Sequence, residues 1–479
     1  MILDIIIFIV YIILVLGVGL YFFNKNKSED DYYLGGRTIS SWHIGLSVVA
    51  TDVGGGFSIG LSGLGFTIGL SGSWMLFTGL IGAWLAAVLL IPKLYRIPKF
   101  ERFLTLPQIF RHFYTSRVAL VAGIIVTIGY LFFTSAQVVA GAKLASGTFP
   151  ELNYHAAVAI MGFAALTYTI LGGLKAVVYT DTVQWIILIC GLLFLGVPFA
   201  YVEVGGLEAI KKTVGNEMLS LNNVGWKTLF NWGITIIPIW FVGMTLYQRI
   251  FASRDEAAAK KAWYIAGLFE WPVMAFLGVT LGLLARVALE QGLFAGMGYL
   301  PGETMDKELG LPVLLRSILP HGLMGIVMAA YFSAVMSTAD SCLMAASASL
   351  TNDILPKRKT GFWSRHMKIS QLGTAFLGLI ALASAFVMDS VLNVMLFSYA
   401  FMVSGLLVPI MGAIFWKRAS PAGAMAAIIG GGGLTSVLTL LKIELLGLDP
   451  NVYGLLLSLV LFVSLSLLIP NKYAHDKND

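Results

Sequence analysis

Four acids, Asp52, Asp181, Glu270 and Asp340, sit in stretches of sequence that are otherwise almost wholly apolar. A carboxyl at membrane depth is expensive and by default marks an ion or substrate path. Asp52 stands in "ATDVGGG", two residues before the triplet Gly54, Gly55, Gly56. Each glycine weakens a helix by about 0.8–1 kcal/mol relative to alanine, so the triplet makes local unwinding cheap. A break exposes carbonyls and amides that lipid cannot satisfy, so they must line a site or be buried in protein. Close helix packing is the plainer reason for the later glycines of "GFSIGLSGLGFTIG", but a consecutive triplet covers every face and makes no packing stripe.

The segment "AAYFSAVMSTADSCLMAASASL" is rich in hydroxyls. Ser337, Thr338 and Ser341 follow Ala334 by three, four and seven residues, which puts them on one helical face with its carbonyl. Oxygen donors without His or Cys suit a hard cation and argue against zinc or copper. Back-bonding of each hydroxyl to its own helix is the simpler alternative.

The elements that must carry these groups are transmembrane helices. Of 479 residues, 58% are hydrophobic and 12% charged, and apolar runs long enough to cross a bilayer recur along the chain. Thirteen spans are expected, near 2–23, 39–66, 72–92, 118–146, 153–172, 178–201, 229–248, 262–285, 322–350, 369–388, 394–416, 421–441 and 452–469. The first lacks a basic leader and a small-residue cleavage site and reads as a retained span. Loops after odd-numbered spans hold 23 of the 31 Lys and Arg, Arg249 and Arg254 among them. This bias predicts an N-terminus outside and a cytoplasmic C-terminus. The seventh span, "NWGITIIPIWFVGMTLYQR", is interrupted by Gly233, Pro238 and Gly243. If spans two to six and seven to eleven are inverted repeats, the interrupted segments are the first helix of each, the arrangement that marks a transporter's midplane site. The expected partition is one transmembrane domain: 1–38 an extra helix and cytoplasmic loop, 39–201 and 229–416 the repeats, 421–479 two further helices and a tail.

Other classes fare worse. The formal charge of +6 follows the loops and needs no nucleic acid. Cys190 and Cys342 fall in apolar runs and provide no disulfide framework. "GLSG" around Ser62 and Ser71 has the form of a serine-protease motif, yet His43, His112, His155, His321, His366 and His475 all fall in loops or near span ends, away from a base's position. No catalytic residue is expected. A channel could also line its path with hydroxyls, but broken inverted repeats favour alternating access.

The segments "YYLGGRTISSW", "ATDVGGG", "LGGLKAVVYTDTVQ", "YQRIFASRD" and "SAVMSTADS", in this order and spacing, resemble the sodium:solute symporter family over nearly the whole chain. The resemblance implies an all-α membrane protein with a LeuT-type five-plus-five inverted repeat whose first and sixth core helices are broken. It also implies Na+ as the coupled ion. The principal sodium ligands implied are the carbonyls of Ala50, Val53 and Ala334 with the hydroxyls of Ser337 and Thr338, and a second sodium would use Asp181, Asp340 and Ser341 with Ser337. The substrate residues implied are Asp52, Gly55, Phe133, Gln137 and Trp240. Choline-type members resemble this chain in part, but have Trp where Asp52 and Phe133 stand. An acid at position 52 resembles proline-type members and implies an amine-bearing solute, with choline, urea, a sugar or a carboxylate as alternatives. The expected location is a plasma membrane, bacterial inner membrane by type, with the bilayer, sodium and a small solute as partners. The oligomeric state is left open, a monomer included.

Overall fold

A computed structural model describes residues 2–23, 39–52, 54–98, 100–149, 151–355 and 363–469. Among these the chain is helical, with only isolated bridges outside the helices. In chain order the helices that matter here are α1 (Ile2–Phe23), α2 (Ser41–Asp52), α3 (Gly55–Ile68), α4 (Trp74–Leu85), α5 (Ser116–Thr148), α6 (Tyr154–Gly191), α7 (Trp226–Val242), α8 (Met244–Ala252), α9 (Glu256–Leu268), α10 (Ala275–Glu290), α11 (Leu323–Ser349), α12 (Trp363–Ala385), α13 (Val391–Phe415), α14 (Pro421–Leu440) and α15 (Pro450–Leu468). Residues 24–38, 356–362 and 470–479, which carry several of the basic loop positions counted above, lie outside the described residues, as does Val53.

Polar caps at the loop ends start several of these helices. Thr115 accepts from the Val118 amide, Asn153 from His155, Asp255 from Ala258 and Ser420 from Gly423, each satisfying an amide that has no partner within its helix. At Asp255, outside the spans, the Ala258 amide and the neighbouring Arg254 hold the carboxyl below the ordinary aspartate range.

The span count is coarser than expected. Among the described residues, eight helices are long and apolar enough to cross a membrane, nine if the bent pair α7 and α8 is one span. The expected apolar segments all fall on helices. However, Ile2–Leu14, Tyr154–Ile170 and Ile369–Ala385 are short apolar stretches among the described residues, and residues 58–94 join two expected spans into one helical run. Hydropathy marks apolar length, but it cannot see a helix that continues through an expected turn, as α6 does between expected spans five and six.

Both expected breaks are present. Gly54, at φ −49° and ψ −167°, separates α2 from α3, and Gly243, at φ −65° and ψ 114°, bends α7 from α8 by 40°. Gly233 and Pro238, expected to interrupt as well, lie inside α7. A third interruption was not expected: α9 runs into a wide helical turn, Phe269–Met274, that is non-helical at Trp271 before α10 begins.

Helix α11 is the central element, with 94% of its apolar window buried, and it packs against α5 and α6. Helix α3 lies along α10, where a Cβ on Gly65 would overlap the Val279 backbone and one on Gly282 the Ser62 backbone. These are the close-packing glycines. The glycine stretch thus divides into a break at its start and a helix contact further on.

Candidate functional site

At the first break the backbone and α11 meet. The Thr338 hydroxyl donates to the Ala50 carbonyl at 2.9 Å and, within its own helix, to the Ala334 carbonyl at 3.1 Å. Three of the five expected sodium oxygens therefore converge on one point. Gly54 lies against the same point, since a Cβ there would overlap both Thr338 Oγ1 and the Ala50 carbonyl oxygen. The glycine is needed for space as well as for backbone freedom. All of these groups are buried, and an oxygen-only set at a helix break can replace the water shell of a hard monovalent cation. Ser337 is one residue round the helix and donates to Asp181 Oδ1.

One turn away along α2 and α11, at Ser47 and Ser341, lies a charged cluster whose charges come from two other helices. Asp181 of α6 and Arg249 of α8 are both wholly buried, with Nη2 3.7 Å from Oδ2. The Ser47 hydroxyl donates to Asp181 Oδ2 at 2.7 Å. The Arg249 guanidinium donates to the hydroxyls of Ser47, Thr51 and Ser341 and to the Thr245 carbonyl. A buried ion pair is tolerable when hydrogen bonds satisfy its remaining donors, which is the case here. The guanidinium thereby ties one segment of each broken helix, α2 and α8, to α6 and α11. Asp340, expected beside Asp181 and Ser341, instead accepts from Thr169 of α6 through Oδ1, and its Oδ2 has no hydrogen-bond partner among the described residues.

Asp52 is the last residue of α2, just before the break. Its Oδ1 accepts from the Tyr399 hydroxyl of α13 at 2.6 Å, and the Tyr399 ring stacks on Phe133 of α5, 5.1 Å between centroids and 25° between planes. Asp52 and Phe133 thus share a neighbour. Gln137, one turn beyond Phe133, accepts from the Gly56 amide at 3.1 Å and occupies the space a Cβ on Gly56 would need. Gly55 belongs to the start of α3. Trp240 is fully buried and packs against Gly82 of α4 and the Trp263 ring, 6.2 Å away and nearly perpendicular. Glu270, with no assigned role from sequence, is fully buried and lies close enough to Asp52 for the two carboxyls to interact.

The structure adds residues that the sequence reading passed over: Ser47, Thr51, Tyr130, Tyr399 and, above all, Arg249. Arg249 was counted as a basic loop residue, and it is instead 0% exposed inside α8. A charge following a glycine-broken apolar segment looks like a span end until its partner, 68 residues earlier, is known. The "YQRIFASRD" motif was the available signal. Tyr130 donates or accepts at Thr245 Oγ1, 3.0 Å away, and accepts from the Thr245 amide at 3.2 Å, holding the chain just after the second break. The protease alternative finds no support at its serines. Ser62 donates to the Ile59 carbonyl and Ser71 to the Ser220 carbonyl.

The sodium:solute symporter family matches residues 32–431. A sodium/myo-inositol cotransporter 2 from Sus scrofa is 28% identical over 472 residues, covering 89% of this chain and 68% of that protein. A sodium/proline symporter from Staphylococcus aureus is 26% identical over 444 residues, covering 88% and 83%. Among solved structures, a substrate-bound Na+-coupled sialic acid symporter superposes with a TM-score of 0.79 at 20% identity, covering 98% of this chain and 99% of that one. A nucleobase-cation-symport-1 family transporter superposes at 0.58 with 14% identity over 92% and 95%. These two likenesses concern the fold.

Proposed function

Because the chain belongs to the sodium:solute symporter family, a family of transporters and not of enzymes, we propose that it couples sodium entry to import of a small amine-bearing solute by alternating access. The observation that carries this reading is the meeting of the Ala50 and Ala334 carbonyls with the Thr338 hydroxyl at the Gly54 break. In this reading these oxygens hold the coupled sodium, with the Val53 carbonyl and the Ser337 hydroxyl completing the set. A cation at the break fills the negative end of α2 and the space between α2 and α11, so its arrival biases how those helices pack.

The finer architecture belongs to the same proposal: thirteen spans, repeats at 39–201 and 229–416, N-terminus outside, C-terminus cytoplasmic, in a plasma membrane. One coupled sodium is favoured over two, because the Arg249 guanidinium already neutralises Asp181 and binds Ser341. For the solute, Asp52 beside the Phe133 and Tyr399 rings combines a negative charge with aromatic faces, a pairing that suits an amine.

The test is uptake by purified protein in proteoliposomes over amines, amino acids, sugars, polyols and carboxylates, with an inward sodium gradient or with potassium in its place. Accumulation above equilibrium that requires sodium, and that Thr338→Ala shifts to higher sodium, is the expected result. Solute that only equilibrates, indifferent to sodium, refutes symport and makes the protein a passive path.

A further inference from the structure

Glu270 is a buried acid that the sodium and solute sites proposed above do not use. It sits where the α9 helix gives way at Trp271, in a candidate span from Glu256 to Glu290. It is 0% exposed, and among the described residues neither Oε1 nor Oε2 accepts from an amide, hydroxyl or basic side chain; its polar neighbour is the Asp52 carboxyl, close enough to share a proton with it. A buried carboxyl without hydrogen bonds forfeits its solvation with nothing in return unless a ligand supplies it.

Room has been made for this carboxyl. On α4, a Cβ at Gly79 would overlap Glu270 Oε2, and one at Gly82, a turn further on, would overlap the Trp240 ring. Glycine at position 79 therefore lets the carboxylate reach past α4. Beside it is a second carboxyl, Asp52, whose Oδ1 accepts from the Tyr399 hydroxyl. Tyr399 acts on this pair and, among the described residues, no basic side chain does, whereas Arg249 is committed to Asp181. Two carboxylates side by side in a water-poor site repel strongly, and a cation between them turns that repulsion into attraction.

We propose, resting on the symporter reading above, that the solute is an organic cation lacking a carboxylate, and that Asp52 and Glu270 together hold its ammonium or guanidinium group. The Phe133 and Tyr399 rings, stacked beside Asp52, supply the apolar wall for its carbon skeleton. A zwitterion fits this chemistry poorly. Its carboxylate would enter a site that already has two, and the Gly56 amide at the start of α3, the natural anion donor, is occupied by Gln137.

The experiment compares wild type with Glu270→Gln at saturating sodium, using 1,4-diaminobutane and agmatine as cationic probes and proline as the zwitterionic one. Binding is read by calorimetry and accumulation by proteoliposome uptake. Wild type is expected to bind the cations in preference to proline, and Glu270→Gln to lose at least about tenfold in cation affinity while its half-saturating sodium stays unchanged. Glu270→Asp should recover part of the loss. If Glu270→Gln fails to fold, Gly79→Ala, which crowds the carboxyl without removing it, should lower cation affinity with sodium binding intact. Cation affinity unchanged in Glu270→Gln overturns the proposal, as does sodium-driven uptake of proline or of a neutral solute with no cation bound. The first outcome removes Glu270 from the site and the second removes the substrate class, and in both symport stands. Loss of pH dependence in Glu270→Gln with cation affinity unchanged makes the pair a proton site and also overturns it. Uptake of every solute indifferent to sodium defeats the symporter reading itself.

Discussion

Two pairs of groups, both buried, flank the first broken helix, and they are balanced in opposite ways. At Asp181 the carboxyl meets a guanidinium and two serine hydroxyls, Ser47 and Ser337, and the guanidinium meets three hydroxyls and a carbonyl. At Asp52 the carboxyl meets another carboxyl and a single tyrosine. The first cluster is complete within the protein and joins four helices, so it acts as a latch. The second is short of positive charge, which is how a site that takes its cation from outside is built. Burial alone separates neither, since all four side chains are at most 7% exposed. The distinction lies in which partners the fold has provided.

The largest expected effect comes from breaking the complete cluster. Arg249→Leu leaves Asp181 buried and unpaired, a loss of about 3–5 kcal/mol, seen as a large drop in the detergent melting temperature together with lost uptake. Arg249→Lys keeps the charge but not the fork that reaches Ser47, Thr51 and Ser341, so an intermediate loss is expected. Joint replacement, Arg249→Leu with Asp181→Leu, should recover stability but not transport. Stability unchanged in Arg249→Leu would mean that the pair is not a latch.

Next in size is Gly54→Ala. The added methyl competes with Thr338 Oγ1 and the Ala50 carbonyl oxygen, and half-saturating sodium should rise by at least about tenfold, measured by sodium-induced tryptophan fluorescence. Gly65→Ala sharpens the contrast. It presses on the Val279 backbone, so it should lower stability without a selective change in sodium affinity. If both substitutions act alike on sodium, the two parts of the glycine stretch have the same role.

The smallest effect is expected at Asp340→Asn. Its Oδ1 accepts from Thr169 and, among the described residues, it shares no hydrogen-bond partner with Thr338 or Arg249, and groups without shared partners act nearly independently. Sodium dependence of uptake should stay within about threefold of wild type. A change in the number of sodium ions per solute would restore the second-sodium role that the family resemblance implied.

The amino-acid sequence by itself determined the helical membrane class, the positions of both glycine breaks, and the shared face of Ala334, Ser337, Thr338 and Ser341. These properties are local: apolar length, glycine's missing Cβ and the 3.6-residue repeat act within a few turns of chain. Tertiary structure decided which helix Thr338 would face, that Ser337 and Arg249 would converge on Asp181, that Asp340 would turn to Thr169, and that Glu270 would come to lie beside Asp52 under Gly79. Arg249 is the sharpest case. Its charge made it look like a loop residue, and only an acid 68 positions away in sequence makes its burial affordable. The electrostatic free energy of a buried charge depends on what stands within a few ångströms, and in a helical bundle those neighbours come from distant segments, so no local pattern along the chain encodes them.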